Sequence, residues 1–462
     1  MDYNFSVNIG WSGDDQVEIM TMMKISLLGL GVTGNSILDF LCNQQQAQNI
    51  FVFDSRENII LDDLYAKYPN VKFNLGVFAK FYETILSSDI VILSPGIDLR
   101  TDLVTKIKNQ CIPILSDIEI FQQNATKPII AITGTNGKST VTKLCSDMLK
   151  EHGLKVALGG NYGIPALSLL DDDVDVYIIE LSSFQLDLLN NTKFHAGVVL
   201  NISPDHLDRY DDFEEYKNSK LRLYEMVKHK IVDSDKDFAQ VVSTKTVDTY
   251  SPRDHKASDI ELSEIIHASK GQHLENVLAS IMLTNTIINV DTKLIVKALQ
   301  NFSGLSHRCE LVSKYSEKLW FNDSKGTNPA ATMAAIQVFS ESGAELIVIL
   351  GGLTKGASLE MLCDLVVSSC NLAVLIGASK EKFYNLLKGR VNCVLADSLE
   401  NALMQANNLS CPGDVILFSP GGASFDMFNN FEHRGECFVQ EIKRLSERDS
   451  QQNGAQSQAK SI

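Results

Sequence analysis

Short apolar runs, each closed by glycine or an acid, alternate with helix-length stretches from Lys24 to about Leu445. The first runs are KISLLGLG, NIFVFD and DIVILSPG. They are too uniformly apolar for a half-exposed strand, and they predict parallel strands joined by crossovers. A second series holds PIIAITGTNG, KVALGGN, VYIIELSS and AGVVLNIS, and a helical, less regular stretch follows from about Glu214 to Gln300. A third contains LIVILGG, AVLIG, NCVLAD and DVILFSPGG. The expected fold is α/β, with three consecutive Rossmann-like or P-loop-like domains and mainly parallel sheets, over residues 24–116, 117–304 and 305–445. Residues 1–23 read as an extension ahead of recognisable structure, with Met20, Met22 and Met23 each offering a later start. Residues 446–462 are polar and low in complexity, and are expected to be disordered.

Composition narrows the classes. A chain of 462 residues exceeds one typical core. With 44% hydrophobic and 21% charged residues it reads as soluble and globular. A formal charge of -16 argues against a general nucleic-acid binder, though a local basic site for anionic metabolites is compatible with it. The nine cysteines lack metal-ligand spacing and suit unpaired thiols in a reducing cytoplasm. The first residues lack the pattern of an export signal, and no run nears the roughly 18 apolar residues of a spanning helix. A cytoplasmic, monomeric protein without nucleic-acid partner or membrane insertion is expected.

The chemistry concentrates in AITGTNGKSTVTKL, from Ala131 to Leu144. An apolar run enters a glycine-rich turn, a lysine and two hydroxyls, and then Val141, Leu144, Cys145, Met148 and Leu149 recur at helical spacing. Backbone N–H groups of Gly134, Thr135, Asn136, Gly137 and Thr140 suit phosphate oxygens at a helix N-terminus. Lys138 would neutralise the outer phosphates, and Ser139 would reach magnesium. Gly134 and Gly137 enclose only Thr135 and Asn136, a shorter loop than that of motor ATPases and G proteins.

A second loop competes. GLGVTG, from Gly29 to Gly34, is a full GxGxxG after a strand, and Asp54 closes the next strand at the distance a dinucleotide fingerprint requires. Alone it reads as an NAD-dependent oxidoreductase, or as a tight structural turn. The loop at Gly134 decides against hydride transfer, where it would have no task; two nucleotide-like ligands, one with a transferable phosphate, fit ligation. Glu180, ending VYIIE, can face the phosphates and hold magnesium, or cap the strand as a surface acid. His206, in NISPDHLDRY, is either a structural histidine or a metal or anion ligand. Lys220 reads as solvated, since nothing in its spacing reveals special chemistry.

In order along the chain, GTNGKST, GGNYG, ELSSFQL, DHLDRY, SHRCE, NDSKGTN, GGLTKG and SPGGASFDMFNNFEHRG resemble the Mur ligase family, and ELSSFQL, NDSKGTN and SPGGASFDMF resemble its D-glutamate-adding branch. The resemblance implies a UDP-binding first domain, a central ATPase and a carboxy-terminal amino-acid domain. It turns GLGVTG into a cradle for the UDP diphosphate, at Gly31, Val32, Thr33 and Gly34, with Asp54, Ser55 and Arg56 near uracil and Asn161 near the muramoyl group. ATP would meet the loop together with Asn276, Arg308, Asp323 and Lys325. D-Glutamate would meet Thr327, Lys355, Ser424, Phe425 and Phe431. Two magnesium ions are implied, one served by Ser139 and Glu180 and the second by His206, with a carbamate on Lys220 as an anionic metal ligand. The substrates implied are UDP-N-acetylmuramoyl-L-alanine and D-glutamate. One departure is GQHLENVLAS, apparently one residue shorter than the family pattern, so Asn276 is chosen as the adenine-side asparagine. Folylpolyglutamate synthesis is the nearest rival, disfavoured by the complete first domain and the DHLDRY context; a nucleotide-binding scaffold is disfavoured by Glu180, His206 and Lys220 occurring together.

Overall fold

Strands β1 (Ile25–Leu28), β2 (Ile50–Asp54), β3 (Lys72–Leu75), β4 (Ile90–Leu93) and β5 (Ile114–Leu115) form a parallel sheet in the order β3-β2-β1-β4-β5. A computed structural model describes residues 23–43, 49–171, 173–190, 192–241, 247–253, 256–257, 263–268, 273–340 and 345–459. The N-terminal extension therefore lies outside the described residues except at Met23. Successive residues of β1 enter different cores: Leu27 packs with Val52, Ile92 and Phe121, and Leu28 with Phe53, Leu93 and Val104. Both faces are covered, which is why these strands carry no polar alternation. Helix α1 (Val32–Asn43) follows β1 after a turn that only glycine permits, since a Cβ on Gly34 would sit 2.0 Å from the Gly29 carbonyl oxygen. Gly34→Ala is expected to destabilise the protein by about 1–3 kcal/mol by forcing that turn open. A melting temperature equal to the parent's would contradict this packing.

The second sheet combines β6 (Ile129–Thr133), β7 (Val156–Gly160), β8 (Val176–Glu180), β9 (Phe194–Val199), β10 (Val227–Asp233), β11 (Val247–Ser251) and β12 (Lys256–Ala257), in the order β12-β11-β10-β9-β6-β8-β7. All neighbours are parallel except β11 and β12. Helix α2 (Asp117–Asn124), started by a Ser116–Glu119 capping box, links the two sheets, and Phe121 meets Tyr177 edge-on in their shared core. On the other face of the second sheet, α3 (Lys138–Glu151) buries Val141, Leu144, Cys145, Met148 and Leu149, the positions its periodicity marks. Helix α4 (Phe213–Leu221) follows β9, and α5 (Leu274–Asn285) packs Val277, Leu278 and Ile281 into the core of α3. The stretch read from sequence as helical and irregular after Glu214 thus contains three strands. They were illegible because β10 opens with the polar VKHK, β11 exposes Asp248 and Thr249, and β12 has only two residues.

The third sheet, β13 (Glu310–Tyr315), β14 (Lys318–Asn322), β15 (Leu346–Gly351), β16 (Leu372–Ile376), β17 (Asn392–Leu395) and β18 (Val415–Phe418), has the order β13-β14-β18-β15-β16-β17. Only β13 and β14 pair antiparallel. One face packs Ile336, Val348 and Phe383, and the other packs Trp320, Phe418 and Phe438. The closing helix α6 (Phe431–Ala459) continues past Leu445 into the tail expected to be disordered, whose Glu, Arg, Gln and Ala residues are good helix formers. The described chain separates into two compact units: one reaches Ile202 and includes Glu214–Phe302, and the other joins Ser203–Phe213 to the chain from Ser303 onward.

Candidate functional site

In the first unit, β6 delivers the chain into the loop Gly134–Gly137, and α3 begins at Lys138. Gly137 is the N-cap, with φ 83°, and a Cβ there would sit 2.7 Å from Asn276 Oδ1. Glycine is therefore required twice over, for handedness and for contact with α5. Asn276 is buried, and its Oδ1 has no hydrogen-bond partner. A buried acceptor of this kind calls for a donor, such as a ligand amino group. Lys138 Nζ donates to the carbonyls of Gly134 (2.8 Å) and Thr135 (2.9 Å), which holds its charge over the loop. Asn201 Oδ1 accepts the Asn136 amide at 2.9 Å, and Thr135 Oγ1 meets the Tyr216 hydroxyl at 3.0 Å.

Glu180, at the end of β8, is buried and engaged by both of its oxygens: Ser139 Oγ donates to one at 2.7 Å and Asn161 Nδ2 to the other at 2.7 Å. The surface-acid alternative is thereby excluded. A hydroxyl and a carboxylate beside a phosphate loop are hard oxygen donors that fit magnesium. Among the described residues no three His, Cys, Asp or Glu side chains gather as a metal cluster, so such an ion would draw further ligands from phosphate and water. Lys220 is not solvated: it is 2% exposed, and its Nζ donates to the Gly134 carbonyl at 3.0 Å, the oxygen that Lys138 also uses. Two ammonium groups on one buried oxygen repel, and a carbamate on Lys220 would relieve that repulsion.

At the first turn, Asp54 Oδ2 accepts the Leu30 amide (2.7 Å), while Arg56 donates to Asp54 Oδ1 through Nε (2.8 Å) and to Oδ2 through Nη2 (2.8 Å). Burial would raise this carboxyl, but the Arg56 and Leu30 hydrogen bonds outweigh it and hold it at about 2. An acid already committed to its own chain is poorly placed to read a ribose, which weakens the NAD reading. Gly31 faces open space, Val32 is 75% exposed, and Ser55 and Arg56 are exposed beside this turn.

The second unit holds the remaining candidates. His206 has φ 55°, a strained conformation for histidine, and its ring nitrogen lies 3.8 Å from Asp205. Asp205 also accepts from Asn328 Nδ2 at 3.1 Å and pairs with Lys355 at 3.5 Å. Burial pushes Asp205 up, but the charges of His206 and Lys355 and these hydrogen bonds bring it below its ordinary value. Lys355 is mostly buried and has φ 48°. Lys325 Nζ stands 3.4 Å from the centroid of Phe431. Thr327 is half-buried, Ser424 buried and Phe425 69% exposed.

Burial pushes the Asp323 carboxyl up to about 6, opposed by the Ser419 hydroxyl (2.6 Å), the Arg308 charge and the Cys309 amide (3.2 Å). A raised carboxyl favours the fold while protonated; that contribution is full below the unfolded value of 3.8 and lost as pH rises through about 6. Asp323→Asn is therefore expected to gain stability over the parent as pH rises from about 4 to 7, by on the order of 1–3 kcal/mol. Parallel melting curves across that range would contradict the assignment.

Sequence reading assigned no role to Asp205, Asn328, Tyr216 or Arg434, although each lies within or beside a quoted motif; their partners are distant in sequence, and no local pattern marks them. The sheets, the phosphate loop and the lysine–hydroxyl–carboxylate set define a nucleotide-dependent α/β enzyme. Family models described as the Mur ligase MurD-like N-terminal domain, the Mur ligase middle domain and the Mur ligase glutamate ligase domain match residues 23–116, 132–303 and 307–422. A curated relative from Coxiella burnetii (strain CbuK_Q154), named "UDP-N-acetylmuramoylalanine--D-glutamate ligase", is 36% identical over 91% of this chain and 98% of its own. The chain belongs to the Mur ligase family, whose members are ATP-dependent, amide-forming ligases. Among solved structures, MurF from Acinetobacter baumannii matches with TM-score 0.59 and 17% identity, over 92% of this chain and 98% of that one. A bifunctional folylpolyglutamate synthase/dihydrofolate synthase from Yersinia pestis, complexed with AMPPNP and a manganese ion, matches with TM-score 0.54 and 15% identity, over 70% of this chain and 91% of that one.

Proposed function

We propose that the protein joins D-glutamate to UDP-N-acetylmuramoyl-L-alanine, with conversion of ATP to ADP and phosphate, in cytoplasmic peptidoglycan precursor synthesis. One observation carries the reading: Glu180 takes Ser139 of the phosphate loop on one oxygen and Asn161, the candidate muramoyl contact, on the other. A single carboxylate thus joins the ATP end to the acceptor end. The near end-to-end match to a relative named for this reaction supports the substrates.

A carboxylate is a poor acyl electrophile until phosphorylated. The alanyl carboxylate oxygen attacks the terminal phosphorus of ATP, the bond to ADP breaks, and an acyl phosphate forms. The amine of D-glutamate then attacks the acyl carbon, loses a proton, and expels phosphate through cleavage of the C–O bond. The loop amides from Gly134 to Thr140 and Lys138 hold and neutralise the phosphates. Asn276, Arg308, Asp323 and Lys325 serve ATP. Gly31, Val32, Thr33, Gly34, Ser55 and Arg56 serve the UDP end, with Asp54 shaping that turn through Leu30 and Arg56, while Thr327, Lys355, Ser424, Phe425 and Phe431 receive D-glutamate. Magnesium would supply charge neutralisation on the phosphoryl group, with Ser139 and Glu180 the candidate holders of one ion and His206 and a carbamate on Lys220 as further candidate ligands. An acceptor labelled with ¹⁸O in its alanyl carboxylate is expected to pass one labelled oxygen to the released phosphate. Unlabelled phosphate would exclude the acyl-phosphate route.

A further inference from the structure

Arg434 lies in the first turn of α6, is 2% exposed, and makes no ion pair among the described residues. This is a costly place for a cation. The positive end of the helix disfavours it, and burial removes its water. Burial pulls the guanidinium down from its ordinary value to about 10, with the Asp426 and Asp323 carboxylates opposing. The group is satisfied instead by neutral acceptors on two separate loops. Nε donates to Ser324 Oγ (3.0 Å), Nη2 to the Ser324 carbonyl (2.7 Å) and Nη1 to the Gly422 carbonyl (2.9 Å). Ser324 Oγ in turn donates to the Phe431 carbonyl at 2.8 Å, which closes the connection back onto α6.

The two loops are those that carry the candidate amino-acid residues. Ser324 lies between the candidate ATP residues Asp323 and Lys325, with the candidate D-glutamate residue Thr327 just beyond, and Gly422 precedes the candidate D-glutamate residues Ser424 and Phe425. At their base the loops are tied by the Asp323 amide to the Phe418 carbonyl (2.8 Å) and by the Ser419 hydroxyl to Asp323 (2.6 Å), and further out by the Gly421 amide to the Gly326 carbonyl (2.8 Å). A planar fork bonded to both loops fixes their angle as well as their distance. We infer that Arg434 is a positioning residue that sets the register between the 322–327 and 420–425 loops and thereby shapes the pocket for the amino-acid substrate.

The inference rests on the proposed amino-acid ligation, so the test begins with the parent protein, by measuring phosphate release against D-glutamate concentration. No D-glutamate dependence in the parent would sink the functional reading itself. With dependence present, Arg434→Met is expected to raise KM for D-glutamate at least tenfold while weakening binding of a fluorescent ATP analogue by a clearly smaller factor, because Asp323 and Lys325 share the 322–327 loop. Arg434→Lys should recover part of the loss, because it keeps the charge but not the fork. Ser324→Ala, which removes one acceptor and leaves the buried arginine in place, should shift KM in the same direction by less, and it decides the matter if Arg434→Met does not fold. Unchanged KM for D-glutamate in folded Arg434→Lys and Ser324→Ala, or equal loss of nucleotide and amino-acid binding, would overturn the inference.

Discussion

Lys138→Ala is expected to lower ligation by about a thousandfold or more while leaving the melting temperature near that of the parent. The side chain leaves the first turn of α3 and donates to the Gly134 and Thr135 carbonyls, whereas the core face of α3 is built from Val141, Leu144, Cys145, Met148 and Leu149. Its removal takes a charge from the transferring phosphoryl group without opening a cavity. The check is single-turnover phosphate release alongside thermal unfolding of the same preparation. Turnover within tenfold of the parent would remove the phosphate-loop assignment.

Lys220→Ala is expected to cost about a hundredfold in rate, and the chemistry of its rescue separates two roles. If the functional group is a carbamate, acetate or formate entering the space left by the side chain restores part of the activity, and methylamine does not. If it is the ammonium bonded to the Gly134 carbonyl, the order reverses. Burial makes the experiment discriminating, since at 2% exposure the site admits only a small ion of matching charge. Full activity without rescue would contradict any role for Lys220 in the reaction.

Lys220 also shows where sequence runs out. The FEEYKNSKL segment of α4 reads as amphipathic, so a lysine within it reads as solvated; in the fold its Nζ is buried against a carbonyl in a loop 86 residues earlier. The central strands were legible because both of their faces are covered: β6, β8 and β15 are buried at every position. Edge strands such as β3 and β13, exposed or half-exposed throughout, gave no comparable run. The loop from Gly134 to Ser139 was legible because its chemistry is local. Glu180 was placed correctly at a strand end, yet its bonds to Ser139 and Asn161 follow from the neighbouring positions of β6, β7 and β8, which no single segment contains. Asp54 reversed its apparent meaning: the spacing reads as a ribose acid, whereas the folded chain commits it to Leu30 and Arg56. The Asp205, Asn328 and Lys355 cluster joins positions more than a hundred residues apart, and only the fold brings them together.

The most direct measurement of the central claim is phosphate release by purified protein with ATP, magnesium and UDP-N-acetylmuramoyl-L-alanine, comparing D-glutamate with L-glutamate, D-aspartate and no amino acid. Release that requires both the muramoyl nucleotide and D-glutamate, with a product heavier by one glutamyl residue, is the expected result. Release independent of the muramoyl nucleotide, or equal for D- and L-glutamate, would contradict it.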